Sequence, residues 1–146
     1  MAQTQEITDE GIQEWVVLMS DASSPAATAM NKIVCMNDTT ACTASKQSSS
    51  TGPVDAWHTT GYGLSIATID TMSQTTSNST GGHNDTITFD HVFTLSSTAA
   101  KSVSGIHAVN DDGDVTFVEC CFASIISMED TDTLTIDGAV VVDQAT

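Results

Sequence analysis

The stretch VSGIHAVNDDGDVTFVECCFASIISMEDTDTLTIDGAVVV, residues 103–142, decides the fold class. Apolar and polar residues alternate in VSGIHAV (103–109), DVTFVECCFA (114–123) and DTLTIDGAVVVD (132–143). That is the period of a half-buried strand, not of a helix. Between the first two segments lies Asn110-Asp111-Asp112-Gly113, residue types that tolerate the positive φ angles of a tight hairpin. A second acidic turn, Glu129 to Asp132, precedes the last segment. The stretch predicts antiparallel hairpins, and it carries no arrangement of catalytic groups.

Upstream, the strongest strand signal is DTITFDHVFTLS (85–96). Ile87, Phe89, His91, Phe93 and Leu95 fall on one face; Thr88, Asp90, Val92 and Thr94 fall on the other. GYGLSIATID (61–70) reads as a strand through Tyr62, Leu64 and Ile66, and MNKIVCMN (30–37) as a short strand. The Ser/Thr-rich segments 38–60 and 71–85 lack periodicity and read as exposed loops, the second as a hairpin tip. Many short strands, no alternating βαβ pattern and no repeat predict a mainly β fold, an antiparallel β-sandwich or jelly-roll-like barrel.

One short N-terminal amphipathic helix is expected over residues 8–20. Ile12, Trp15, Val16 and Met19 form its i, i+3, i+4, i+7 stripe, and Thr8 or Asp9 caps it. Asp9, Glu10 and Glu14 suit the positive end of the helix, and Asp21 to Pro25 ends it. The chain thus divides into a helical arm, 1–25, and a single β-sandwich domain, 26–146. The stripe either docks on a neighbouring subunit or covers its own sheet. Covering is the preferred role, because Trp15 needs a large apolar partner wherever it sits.

Length and charge narrow the function. The 146 residues suit one core. Fourteen Asp and five Glu stand against Lys32, Lys46 and Lys101, with no Arg, giving a formal net charge of -16. Such a field repels a phosphate backbone and an anionic membrane surface, and no guanidinium is present to grip phosphate in a bidentate way. Nucleic-acid and membrane partners are therefore not expected. The acidity fits either adaptation to high salt or a particle surface kept soluble by charge. No apolar run is long enough to span a bilayer, and the start, MAQTQEITDEGIQ, does not resemble a secretory signal.

The four cysteines do not form a disulfide framework or a zinc ribbon, since no C-x-x-C occurs. Adjacent Cys120 and Cys121 should point to opposite faces of a strand. The preferred reading is buried, reduced thiols, with a loop-closing Cys35–Cys42 disulfide as the alternative. Histidines 58 and 83 lie in polar loops, while His91 and His107 lie in strands that could bring them together if they paired. Nothing adds the further ligands a metal needs.

Placing Gly113 at the sixth position of a calcium loop puts Ala108 where the first carboxylate belongs, so turn chemistry explains the acidic run better. The turn after Glu129, with Asp130 and Asp132, leaves weak surface calcium binding open. No nucleophile elbow and no phosphate loop occur. The three N-x-[ST] triplets, at Asn37, Asn78 and Asn84, are expected by chance in a Ser/Thr-rich chain. Catalytic, cofactor and metal residues are none, and the chain is not expected to be an enzyme.

Residues 61–142 resemble small β-rich structural proteins of the particles of tailed viruses. The likeness rests on FDHVFTL (89–95), GIHAVNDDGDV (105–115), FVECCFA (117–123) and DTLTIDGAVVV (132–142), with ITDEGIQEWVVLM (7–19) similar to the opening of that group. It covers about two-thirds of the chain and is carried by strand and turn patterning. Many such proteins keep an Arg in the strand where Glu119 and Cys120 stand here, so an interface that uses that cation does not transfer.

The resemblance implies a structural virion protein assembled in the host cytoplasm. The first expectation is a capsid decoration (cement) protein, a homotrimer seated on the major capsid protein or other virion proteins. The alternative is a tail or fibre component that binds a host receptor or glycan. The candidate interface residues are Ile12, Trp15, Val16 and Met19 on the arm, and Trp57, His58 and Tyr62 for a receptor-binding loop.

Overall fold

A computed structural model describes residues 4–7, 30–37, 61–75, 86–110 and 116–141. Eight strands occur there: β1 (Thr4–Ile7), β2 (Met30–Met36), β3 (Ala67–Thr68), β4 (Thr71–Thr75), β5 (Thr86–Thr94), β6 (Lys101–Asn110), β7 (Thr116–Met128) and β8 (Thr133–Val141). All pairings are antiparallel. They build a five-stranded sheet in the order β1-β7-β6-β2-β3 and a three-stranded sheet in the order β4-β5-β8. The described residues contain no helix. The expected helix over 8–20, with Ile12, Trp15, Val16 and Met19, lies outside them. Residues 4–7 form a strand on the edge of β7, with Ile7 opposite Val118.

One apolar cluster joins the sheets. From the larger sheet it takes Ile33, Cys35, Ile106, Ala108 and Cys120, and from the smaller one Phe89, Phe93, Ile136 and Val140. Period-two alternation explains the selection on β5: Phe89 and Phe93 are buried, whereas Val92 and Thr94 are exposed. The larger sheet is buried on its second face as well. Val34, Met36, His107 and Cys121 are each 1% exposed or less, and Met36 packs with Cys121 apart from the main cluster. Cys120 and Cys121 therefore do face opposite ways.

Cys35 and Cys120 are buried and outside any disulfide, so Cys35 closes no loop with Cys42. Cys121 is disulfide-bonded. This corrects the expectation of reduced thiols: among the described cysteines, the two that point into the shared core stand outside any disulfide and Cys121 does not.

Residues 61–66 are not the expected strand. Gly61, Tyr62 and Gly63 take φ values of 48°, 58° and 73°, a left-handed turn that no strand accommodates. Two glycines in three residues make it accessible. The turn ties the sheets together: Ser96 N–H donates to the Tyr62 carbonyl at 2.9 Å, and Cys35 N–H donates to the Leu64 carbonyl at 3.3 Å. Leu64 is fully buried, but Tyr62 and Ile66 are exposed.

The chain then crosses between sheets within two residues. Ile69 N–H donates to Asn31 of the larger sheet at 3.0 Å, and Asp70 N–H to Asp90 of the smaller one at 2.9 Å. The stretch expected as a loop from residue 71 begins instead with β4, which pairs with β5 from Thr71↔Asp90 to Thr75↔Thr86.

Candidate functional site

β7 runs on to Met128, past the expected end at residue 123, and its pairing with β6 breaks on the way. Gly105 sits opposite Cys121, and Val103 sits opposite Ile126. Phe122 to Ile125 thus stand against Ser104 alone, a large β-bulge. Gly105 marks its edge, because a Cβ there would run into the Cys120 carbonyl and Met36 Cε. A smaller bulge at Phe117 lets both Phe117 and Val118 reach the core.

The large bulge borders a crevice of about 280 Å³ between the two sheets. Phe89, Ile106, Val118, Phe122, Ile126 and Leu134 supply apolar wall. On β8, every residue from Leu134 to Ala139 contributes, inward-facing and outward-facing alike. The crevice therefore follows the edge of β8. Among the described residues β8 pairs only with β5, and β1 pairs with β7 no further than Cys121.

Asp137 lines this crevice and also a shallow depression on the outer face, together with Asp90, Thr71 and Thr88. Asp90 and Asp137 are direct register partners across β5 and β8. Phe89 lies against Gly138, where a Cβ would collide with its ring, so the glycine lets that ring close the inner wall.

Strand pairing does not bring the two described histidines together. His91 belongs to β5 and His107 to β6, strands of different sheets, so the expected approach through strand pairing does not occur. His91 Nδ1 lies 3.1 Å from Asp70 Oδ2, close in distance but without hydrogen-bond alignment. The same oxygen accepts the Val92 N–H at 3.1 Å. The His91 ring meets Phe93 edge-on at 4.4 Å. His107 is opposite Glu119 in the β6–β7 register, each 1% exposed.

Among the described residues no group of three or more His, Cys, Asp or Glu is placed to hold a metal. The acidic turn after β7 is committed to the fold. Asp132 Oδ2 accepts the Glu129 N–H at 2.7 Å, and Asp130 Oδ1 accepts the Ser97 N–H at 3.0 Å. These bonds give Asp130 and Asp132 a structural role in the turn.

Tyr62 is 42% exposed, and Lys101 Nζ lies 4.1 Å from its ring centroid. Its expected companions Trp57 and His58 lie outside the described residues. Sequence patterning missed the crevice, although one signal was present. The alternation in β7 fails across Ala123-Ser124-Ile125-Ile126, which is where the bulge forms.

No known protein family, curated protein or solved structure matches the chain.

Proposed function

We propose that this chain is a non-catalytic structural virion protein, a capsid decoration protein that stabilises a head lattice through protein–protein contacts. In this reading the two sheets stack as an antiparallel, jelly-roll-like β-sandwich. The observation that carries it is the open apolar crevice along β8, bordered by strand edges with no ladder partner among the described residues. Apolar wall and unpaired backbone groups side by side are what a strand-adding protein partner covers. A net charge of -16 fits a surface that stays soluble until it is seated. Closed cyclic symmetry, as a homotrimer on the major capsid protein, would repeat the contact around a lattice point. The protein would be assembled in the host cytoplasm, and the Cys121 disulfide suits a particle that is later released into an oxidising medium.

Mass spectrometry of purified particles tests this reading. The chain should be present in roughly tens to hundreds of copies, as a symmetric lattice position requires. Its absence sinks the proposal. A few copies per particle would favour the second reading, a tail or fibre component binding a receptor or glycan, for which the exposed ring of Tyr62 is the supporting observation.

A further inference from the structure

The geometry points to the β8 edge as the docking site for an extended segment of a partner protein with the alternation apolar–basic–apolar. This deepens the assembly reading by naming the partner's chemistry, and it rests on that reading. The crevice holds about 280 Å³, small for a cofactor but suited to two side chains. A strand added to β8 presents alternate residues to the same face, about 7 Å apart. Two apolar side chains at i and i+2 would enter beside Phe122, Ile126 and Leu134. The residue between them would point outward, beside Asp137.

That outward residue is set by charge. Thr71, Asp90 and Asp137 form one row across β4, β5 and β8. Two carboxylates directly opposite repel, and a cation in the next position of the row relieves both. The segment therefore carries Lys or Arg between its apolar residues.

A second copy of this chain does not supply it. The lysines occur as Asn31-Lys32-Ile33, Ser45-Lys46-Gln47 and Ala100-Lys101-Ser102, none between two large apolar residues.

The test uses the full chain and two fluorescein-labelled peptides, one with a Val-Lys-Val-Lys-Val core and one with Val-Glu-Val-Glu-Val, read by fluorescence anisotropy. The Lys peptide should bind and the Glu peptide should not. Asp137→Lys should weaken the Lys peptide roughly tenfold and admit the Glu peptide, because it converts one attraction to repulsion. Glu129→Lys changes the net charge equally on an exposed turn and should leave the preference intact. Hydrogen exchange should show the Lys peptide protecting β8 amides.

Three results would overturn the inference: no binding of the Lys peptide, equal loss in both variants, or protection elsewhere than β8. If the chain is abundant in particles while the peptide fails, only this inference falls. If the peptide binds while the chain is absent from particles, the virion reading falls and the docking edge stands.

Discussion

Asp90 and Asp137 face each other across the β5–β8 ladder, on the outer face of the smaller sheet. Asp137 is exposed and Asp90 half-buried, so water screens the pair only in part. Like charges directly opposite on neighbouring strands destabilise a sheet. Asp137→Asn is therefore expected to raise stability by about 0.2–1 kcal/mol, read from the urea midpoint. The gain should shrink as salt rises from low to molar concentration. A variant less stable than the parent at low salt would show that the carboxylate has an attractive partner instead.

Gly63 and Gly61 share a left-handed turn but not its crowding. A Cβ on Gly63, at φ 73°, would run into the Thr94 carbonyl, whereas a Cβ on Gly61, at φ 48°, meets nothing. Gly61→Ala should cost about 1 kcal/mol, the backbone term alone. Gly63→Ala should cost on the order of 3 kcal/mol or more, since the clash is with backbone that cannot move aside. Equilibrium unfolding of the two variants checks the difference, and equal losses would remove the packing argument.

These two relationships mark what patterning can and cannot reach. Alternation located β2, β5, β6, β7 and β8, because each sends one row of side chains into the shared core, although β6 and the first half of β7 bury the opposite row as well. It misread residues 61–66, where Tyr62, Leu64 and Ile66 alternate as in a strand. Only Leu64 is buried there, and the two glycines carry the decisive information. It also placed the Asn110-to-Gly113 run between two strands that do pair. The crevice was not legible, since its walls come from both sheets and its mouth from a register shift. A single sequence fixes faces within a strand, but not which strand lies across from it.

Cys35 is buried in the core, and burial pushes its thiol well above the ordinary value of 9.0. The folded state therefore keeps the proton that the unfolded chain releases. Stability from this group is complete below the unfolded pKa and is lost as pH rises past about 9. The loss contributes about 1.4 kcal/mol per pH unit in that range. Urea unfolding between pH 8 and 10 should show a steeper decline for the parent than for Cys35→Ala, whatever the variant's absolute stability. Parallel slopes would mean that Cys35 does not titrate differently in the two states. In the folded protein iodoacetamide should likewise leave Cys35 unmodified at pH 8, as seen by mass spectrometry.

The acidic turn after β7 provides the last test, because a structural role and a calcium role predict different outcomes. Asp132 Oδ2 accepts the Glu129 N–H at 2.7 Å, and the backbone of the turn pairs with Leu95 in both directions, at 2.8 Å from Leu95 N–H to the Asp132 carbonyl and 2.9 Å from Thr131 N–H to the Leu95 carbonyl. Asp132→Ala removes a charge-assisted acceptor and should lower stability by about 1–2 kcal/mol, while Asp132→Asn, which keeps an oxygen, should lose less. Thr131 holds a left-handed φ of 70° despite its branched Cβ, so Thr131→Gly should offset part of that strain and gain up to about 1 kcal/mol. Because no group of three or more His, Cys, Asp or Glu side chains is gathered to hold a metal among the described residues, millimolar calcium should not raise the melting temperature of the parent or of either Asp132 variant. A rise seen in the parent and abolished in Asp132→Asn would overturn the structural account of this turn.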